Sequence, residues 1–147
     1  LPPGEIKRLY EQKLKIFIAI AISSAVIAVI VGGLSIFNTM MMSVSERTKE
    51  IGVKKALGAS NINIMLEFIT EAGIIGIIGG VGGLAMGQLI IHILNEGILS
   101  GGIILFVITP RLIVFVLLFA VLLGILAGLF PALVASRRKP INALRAD

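Results

Sequence analysis

Three long stretches without a charged side chain constrain this sequence more than any other feature. They cover residues 16–45, 72–95 and 112–136, and each exceeds the roughly 20 apolar residues that carry a helix across about 30 Å of hydrocarbon. The chain is 57% hydrophobic and 14% charged, whereas soluble domains are roughly 45–50% apolar and about 25% charged. The sequence therefore predicts an all-α membrane protein and excludes an ordinary soluble enzyme.

The predicted organisation has a stalk, three spans, a central segment and a tail. The first run is longer than one crossing needs, and polar side chains from Asn38 onward place its end among the lipid headgroups. Pro2 and Pro3 precede the start of a helix that is either a stalk leading into the first span or an interfacial helix with snorkelling lysines. The boundaries are residues 1–15 for the stalk, 16–42, 72–95 and 112–136 for the spans, 43–71 for the central segment and 137–147 for the tail.

Basic residues predict the orientation of these spans. Lys and Arg accumulate on the cytoplasmic side of membrane helices, and the central segment and tail carry more of them than the alternate segments do. We therefore expect a multi-pass protein with a cytoplasmic central segment and C-terminus. The two sets are Arg47, Lys49, Lys54, Lys55, Arg137, Arg138, Lys139 and Arg145 against Lys7, Arg8, Lys13, Lys15 and Arg111.

The formal net charge of +5 has a second interpretation, which is nucleic-acid binding. The basic residues flank apolar runs, however, and no basic stripe carries interleaved aromatic side chains. Nucleic acid is therefore not expected as a partner, and the lipid bilayer is. Because the chain has no Cys, disulfides, thiolate metal sites and a Cys nucleophile are excluded.

The second span carries glycines at four-residue spacing. Small residues so spaced let another helix approach closely and gain van der Waals contact in lipid. They predict a packed helix, with either one defined partner face or general helix packing. A phosphate-binding loop is rejected, because the run lacks the Lys and Ser or Thr that end such a loop. The packing positions are Gly76, Gly79, Gly80, Gly83 and Gly87.

The central segment is the sizeable polar stretch that could face a soluble partner. Ser43 and Glu46 match a capping box, which predicts a short helix over about residues 44–57. Gly58 is expected to end this helix, and Ser60 is expected to cap the next one, which continues into the second span.

Two apolar patches lie on this predicted helix. Ile51 faces away from Val53 and Leu57, and Glu50 forms a favourable i, i+4 pair with Lys54. One patch could lie on the membrane while the other enters a partner's groove. The alternative is a solvated charged loop that only connects two spans.

Candidates for catalysis are few. Glu67 and Glu71 share one helical face, as paired catalytic carboxylates would, yet no third group orients them. At a membrane entrance, such a pair more often binds a neighbouring Lys or Arg. His92 and Glu96 lack a third metal ligand within reach. We therefore expect no catalytic, metal or cofactor site in this chain.

Two separated motifs carry a resemblance to a known family. The first is VGGLSIFNTMMMSVSERTKEIGVKKALGAS at residues 31–60, and the second is PINALR at residues 140–145. Between them, the glycines of the second span and Glu71 fit the same pattern. The chain resembles FtsX-like permeases of ABC transporters over residues 16–145, and the MacB-type branch in particular.

This resemblance implies an architecture and partner proteins that hydropathy alone does not show. Family members have four membrane helices with a large extracytoplasmic domain between the first and second, so this chain resembles the last three. Residues 1–15 would lead from that domain. The permease dimerises and works with an ABC ATPase, which binds ATP and Mg, and with a periplasmic or extracellular adaptor in some members. In MacB-type members, ATP-driven closure is transmitted outward rather than opening a pore for the solute.

The predicted function is a permease subunit, itself not an enzyme, in the prokaryotic cytoplasmic (inner) membrane. It would couple ATP hydrolysis to an extracytoplasmic conformational change for export. The alternatives are an FtsX-type regulator of cell-wall hydrolysis and a membrane scaffold that has no ATPase. Docking to the ATPase would use charge together with either Ile51 or the patch of Val53 and Leu57. The ATPase-coupling residues implied by the resemblance are Glu46, Arg47, Glu50, Ile51, Val53, Lys54 and Leu57.

Overall fold

Helices form the regular secondary structure of residues 3–95 and 108–138, which are the residues that this computed structural model describes. In chain order they are α1 (Pro3–Glu46), α2 (Thr48–Ala56), α3 (Asn61–Ile93) and α4 (Pro110–Arg137). Three of them, α1, α3 and α4, are long and apolar enough to cross a membrane. The predicted all-α class with three potential membrane spans is confirmed.

The third predicted span, residues 112–136, lies within α4, and the second, residues 72–95, lies within α3 except for its last two residues. The N-terminal end of α3 lies well before its apolar run because Ser60 caps it, and the Ser60 hydroxyl accepts a hydrogen bond from the Asn63 N–H at 3.2 Å. Pro110 lies in the first turn of α4, where its missing N–H has no structural cost. Residues 96–107 and the predicted tail beyond residue 138, including the PINALR motif, lie outside the described residues.

The chain divides into two compact units, and the first, Leu1–Ser35, contains most of α1. Its large apolar side chains between Leu9 and Leu34 are exposed, except for the half-buried Val29. A helix with apolar side chains all round is stable when lipid or protein covers it. Residues 3–15 are helical, as the stalk prediction requires, while their role as a stalk stays a prediction.

The second unit, Ile36–Asp147, contains the end of α1 and the other three helices. Its buried core lies where the end of α1, α2, the start of α3 and the end of α4 meet, and we call this region the α2 end. Farther along α3 and α4, most large apolar side chains remain exposed. The core side chains are Met40, Val44, Ile51, Ile64, Phe68, Ala72, Ala132 and Ala135.

The α3 side of the contact between α3 and α4 is built from glycine. A Cβ added to Gly76 would lie 2.5 Å from the carbonyl oxygen of Ala120, and one added to Gly80 would lie 2.8 Å from the Ala120 Cβ. The first of these distances is to backbone, which cannot rotate away. Two of the five predicted packing glycines therefore make a close helix contact, and we call it the α3–α4 seam.

On the α4 side of the seam, two further glycines face Ala72. A Cβ at Gly124 would lie 2.5 Å from the Ala72 carbonyl oxygen, and one at Gly128 would collide with the Ala72 Cβ. The sequence analysis missed this pair as a packing motif, although its four-residue spacing was visible. Among the described residues, nothing lies within 4 Å of a Cβ built at the remaining predicted positions, so their packing stays a prediction. Those positions are Gly79, Gly83 and Gly87.

Candidate functional site

The start of α2 differs from the predicted capping box. Ser43 and Glu46 lie in the last turns of α1, and the N-cap of α2 is Arg47, whose side chain makes no capping hydrogen bond. The boundary lies later because α1 continues through apolar residues that enter the core. The Thr48 hydroxyl donates to the Val44 carbonyl oxygen at 3.0 Å, which satisfies one acceptor at the end of α1.

The end of α2 confirms the prediction at Gly58. Gly58 has φ +97°, a conformation that favours glycine. Its N–H donates to the Lys55 carbonyl oxygen at 3.0 Å, and the Ala59 N–H donates to the Lys54 carbonyl oxygen at 3.0 Å. This pair of bonds is a Schellman motif, which stops α2 and turns the chain toward α3.

The two predicted apolar patches of α2 have different surroundings. Ile51 is 2% exposed and belongs to the core of this chain, so it is not available to fill a partner's groove. Val53 is 48% exposed and Leu57 is 84% exposed. Of the two alternatives, the patch of Val53 and Leu57 is therefore the accessible one.

Arg47 lies between α1 and α2 and reaches three carboxylates. Its Nε lies 2.9 Å from Glu50 Oε2, and its terminal nitrogens lie 3.0 Å from Glu67 Oε1 and 3.2 Å from Glu71 Oε2. Its guanidinium carbon lies 5.4 Å from the centre of the Phe68 ring, a cation–π contact. The planar fork of five N–H donors suits this role, because a Lys offers donors from one atom only.

Lys54 completes the set of charges. Its Nζ lies 2.8 Å from Glu50 Oε1 and 2.7 Å from Glu67 Oε1. The predicted pairing of Glu50 with Lys54 is confirmed, as is the interpretation of Glu67 and Glu71 as partners of neighbouring basic residues. Two cations hold three carboxylates in what we call the ion cluster. Its members are Arg47, Glu50, Lys54, Glu67 and Glu71.

Three members of the cluster, Arg47, Glu50 and Lys54, have pKa values that keep them charged over the physiological pH range. The hydrogen bond from Arg47, followed by that from Lys54, lowers the pKa of Glu50 from 4.5 to about 2. Hydrogen bonds to Glu50 and then Glu67 raise the pKa of Lys54, and the bond to Glu50 raises the pKa of Arg47. Groups with such pKa values do not exchange protons near neutral pH, so these three side chains act as fixed charges that join helices.

Lys55 makes a different connection. Its Nζ donates to the carbonyl oxygens of Ser136, at 2.5 Å, and Arg138, at 2.8 Å. These acceptors lie at the end of α4, where helix carbonyls lack partners within the helix. This contact was not predicted, because its two acceptors follow Lys55 by 81 and by 83 positions in the sequence and no local spacing relates them.

The structure separates the seven predicted coupling residues into three groups. Three belong to the ion cluster, Ile51 lies in the core, and three are exposed. Among residues 3–95 and 108–138, no group of three or more His, Cys, Asp or Glu could hold a metal ion. His92 is exposed near the end of α3, and Glu96 lies outside the described residues. The exposed group comprises Glu46, Val53 and Leu57.

Comparison with known proteins agrees with the resemblance found in the motifs. Residues 22–140 match the FtsX-like permease C-terminal family. An uncharacterized ABC transporter permease of Methanocaldococcus jannaschii is 34% identical over 149 residues, covering 100% of this chain and 37% of that protein. Macrolide export ATP-binding/permease protein MacB of Nitrobacter winogradskyi is 43% identical over 82% of this chain.

A third relative matches a similar share of this chain. MacB of Bdellovibrio bacteriovorus is 39% identical over 123 residues, which is 84% of this chain. This chain spans 18% of the length of each of these two MacB proteins. The likeness is therefore to their permease portion.

Proposed function

Because this chain belongs to the FtsX-like permease family of ABC transporters, we propose that α2 is the element through which an ABC ATPase moves the membrane helices. The observation that carries this proposal is the surface of α2. It presents Val53 and Leu57 outward, while its opposite face is buried in the core. A helix of nine residues with one anchored face and one exposed apolar face fits a groove on a partner.

Mechanical coupling requires that a force on α2 reach the other helices. Ile51 anchors α2 in the core, and the ion cluster joins it to the start of α3 through Glu67. Well-packed interfaces transmit displacement because they deform little. In this proposal the role of Arg47, Glu50 and Lys54 in coupling is to hold α2 in place, and charge on α2 also guides docking.

The membrane spans support transmission rather than conduction. The apolar runs contain no Asp, Glu, Lys or Arg, whereas solute and ion pathways through membrane helices are usually marked by such residues. In the proposed orientation α2 lies at the cytoplasmic (inner) membrane surface, and residues 1–15 form the stalk that carries motion outward. ATP and Mg would bind to the ATPase, and two permease copies would act together to support export.

Photo-crosslinking in cells tests the docking step. A photoreactive amino acid at Leu57, which is exposed on α2, should capture an ABC ATPase that mass spectrometry identifies. The matched control is Val81, which is equally apolar and is exposed within the span of α3, and it should capture lipid or membrane protein only. Recovery of only lipid or unrelated membrane protein from Leu57 would contradict the proposal and favour a scaffold that has no ATPase.

A further inference from the structure

The side chain of Lys55 joins the ends of two helices. The two carbonyl oxygens that it binds, those of Ser136 and Arg138, lie at the C-terminal end of α4. Ser136 is 4% exposed, so water has little access to its carbonyl. Lys55 itself lies in the last turn of α2. One ammonium group from the last turn of α2 therefore binds the C-terminal end of α4.

Electrostatics favours a cation at this position. Each helix C-terminus carries a partial negative charge from its unpaired carbonyl groups. The C-terminal end of α4 is therefore stabilised by a nearby positive charge. The ammonium of Lys55 supplies that charge, and its three N–H donors can serve both acceptors at once.

The part of α4 that Lys55 binds follows a position where its own helix lacks one backbone hydrogen bond. Pro131 lies inside α4 and is buried. It has no N–H to donate to the carbonyl of Ala127, so the hydrogen-bond ladder of α4 is interrupted there. Residues 132–138 follow this interruption, and two of them, Ala132 and Ala135, pack in the core of the α2 end.

From this arrangement we infer that Lys55 is a positioning residue that fastens residues 132–138 of α4 to α2, so that this segment moves when α2 is displaced. The inference rests on the proposed function and adds a second route to it. Lys54 ties α2 to α3 through Glu67, whereas Lys55 ties α2 to α4. The two adjacent lysines thus connect α2 to two different helices, and each of these helices moves with α2.

Hydrogen–deuterium exchange on the full-length protein, purified with its ATPase, tests this inference. Lys55→Met removes the donors, Lys55→Arg keeps them, and Arg138→Ala removes a nearby positive charge while leaving both carbonyl acceptors in place. Without nucleotide, amide exchange in residues 132–138 should rise about tenfold in Lys55→Met, because a charged hydrogen-bond donor is lost. Lys55→Arg and Arg138→Ala should stay close to the unmodified protein.

The response to trapping with ATP and vanadate separates positioning from general stability. In the unmodified protein, Lys55→Arg and Arg138→Ala, trapping should change exchange in both residues 61–71 and residues 132–138. In Lys55→Met the change at residues 61–71 should persist, because the ion cluster is intact. The change at residues 132–138 should fall at least fivefold in that variant.

Two results would overturn the inference. If Lys55→Met keeps the full response at residues 132–138, the contact transmits nothing. If it loses the response in both segments, Lys55 supports α2 as a whole rather than linking it to α4. If no ABC ATPase accompanies the unmodified protein, the proposed function itself fails, and with it the role of Lys55 in transmission.

Discussion

Two joints hold α3, and they are built by opposite means. The seam with α4 depends on missing side chains, because Gly76 and Gly124 let the two backbones approach each other. The joint with the end of α1 and α2 adds long charged side chains to a buried apolar core, with Arg47 reaching Glu67 and Glu71. In lipid, apolar surfaces gain little by leaving their surroundings, so close backbone approach supplies the attraction. Beyond the apolar run, burial of the core side chains holds the helices together, and partly hydrated ion pairs add to it.

The two joints differ in how well they tolerate a change of side chain. At the seam, one added methyl group meets backbone atoms and displaces a whole helix. In the ion cluster, the Arg47 side chain is 32% exposed, so solvent weakens each of its ion pairs. The stabilisation is spread over several such pairs. A seam of this kind sets the distance between helices, whereas an ion cluster sets their orientation and responds to pH.

The largest effect is expected at the seam. Gly76→Ala should destabilise the protein by about 1–3 kcal/mol through overpacking, because the new Cβ would lie 2.5 Å from the Ala120 carbonyl oxygen. Gly79→Ala is the matched control on the same helix, and it should gain up to about 1 kcal/mol from helix propensity. Thermal unfolding in detergent measures both variants. Equal effects would show that the seam is not closely packed.

A smaller effect is expected at the centre of the ion cluster. Arg47→Met should destabilise by about 1–2 kcal/mol, because three carboxylates lose their shared donor. Arg47→Lys should recover only part of this, since Arg47 reaches the three carboxylates through three separate nitrogens and a Lys has one nitrogen. Arg111→Met, at the exposed start of α4, controls for the loss of one positive charge.

A double-mutant cycle with Glu67→Gln locates the origin of the Arg47 effect. The two substitutions should be non-additive, because Arg47 and Glu67 interact directly at 3.0 Å. Additive losses in thermal unfolding would show that the Arg47–Glu67 pair contributes nothing to the joint and would weaken the contrast between the two joints.

The smallest effect is expected from Glu50 and depends on pH. Because folding lowers the pKa of Glu50 from 4.5 to about 2, its ionised form stabilises the fold above about pH 4.5, and this contribution is lost as the pH falls toward 2. The difference in melting temperature between the unmodified protein and Glu50→Gln should follow that window. Glu46→Gln, outside the cluster, is the control, and a Glu50→Gln difference that is constant from pH 7 to pH 2 would contradict the prediction.

Local features of the fold followed from the sequence because their physics is local. The length of an uncharged run sets whether a helix can cross a membrane, and all three runs became such helices. Gly58 and Ser60 act within a few residues of themselves, as does the pair of Glu50 and Lys54, and all were predicted correctly. The motifs also predicted the family that the comparison confirms.

Features that join distant segments required the tertiary structure. The capping box at Ser43 failed because α1 continues into a core that local spacing does not reveal. The burial of Ile51, the contact of Arg47 with Glu71, 24 residues away, and the contact of Lys55 with α4 all depend on which helices meet at the α2 end.

The glycines of α3 show the same contrast between local and tertiary information within one helix. Their spacing determined that α3 could be approached closely, and it offered Gly76 with Gly80, Gly79 with Gly83, and other pairs as equivalent faces. In the structure, α4 packs against the face of Gly76 and Gly80, where it presents Ala120 and its own glycines. A spacing along one helix fixes which residues share a face, but only the position of the second helix determines which face is used.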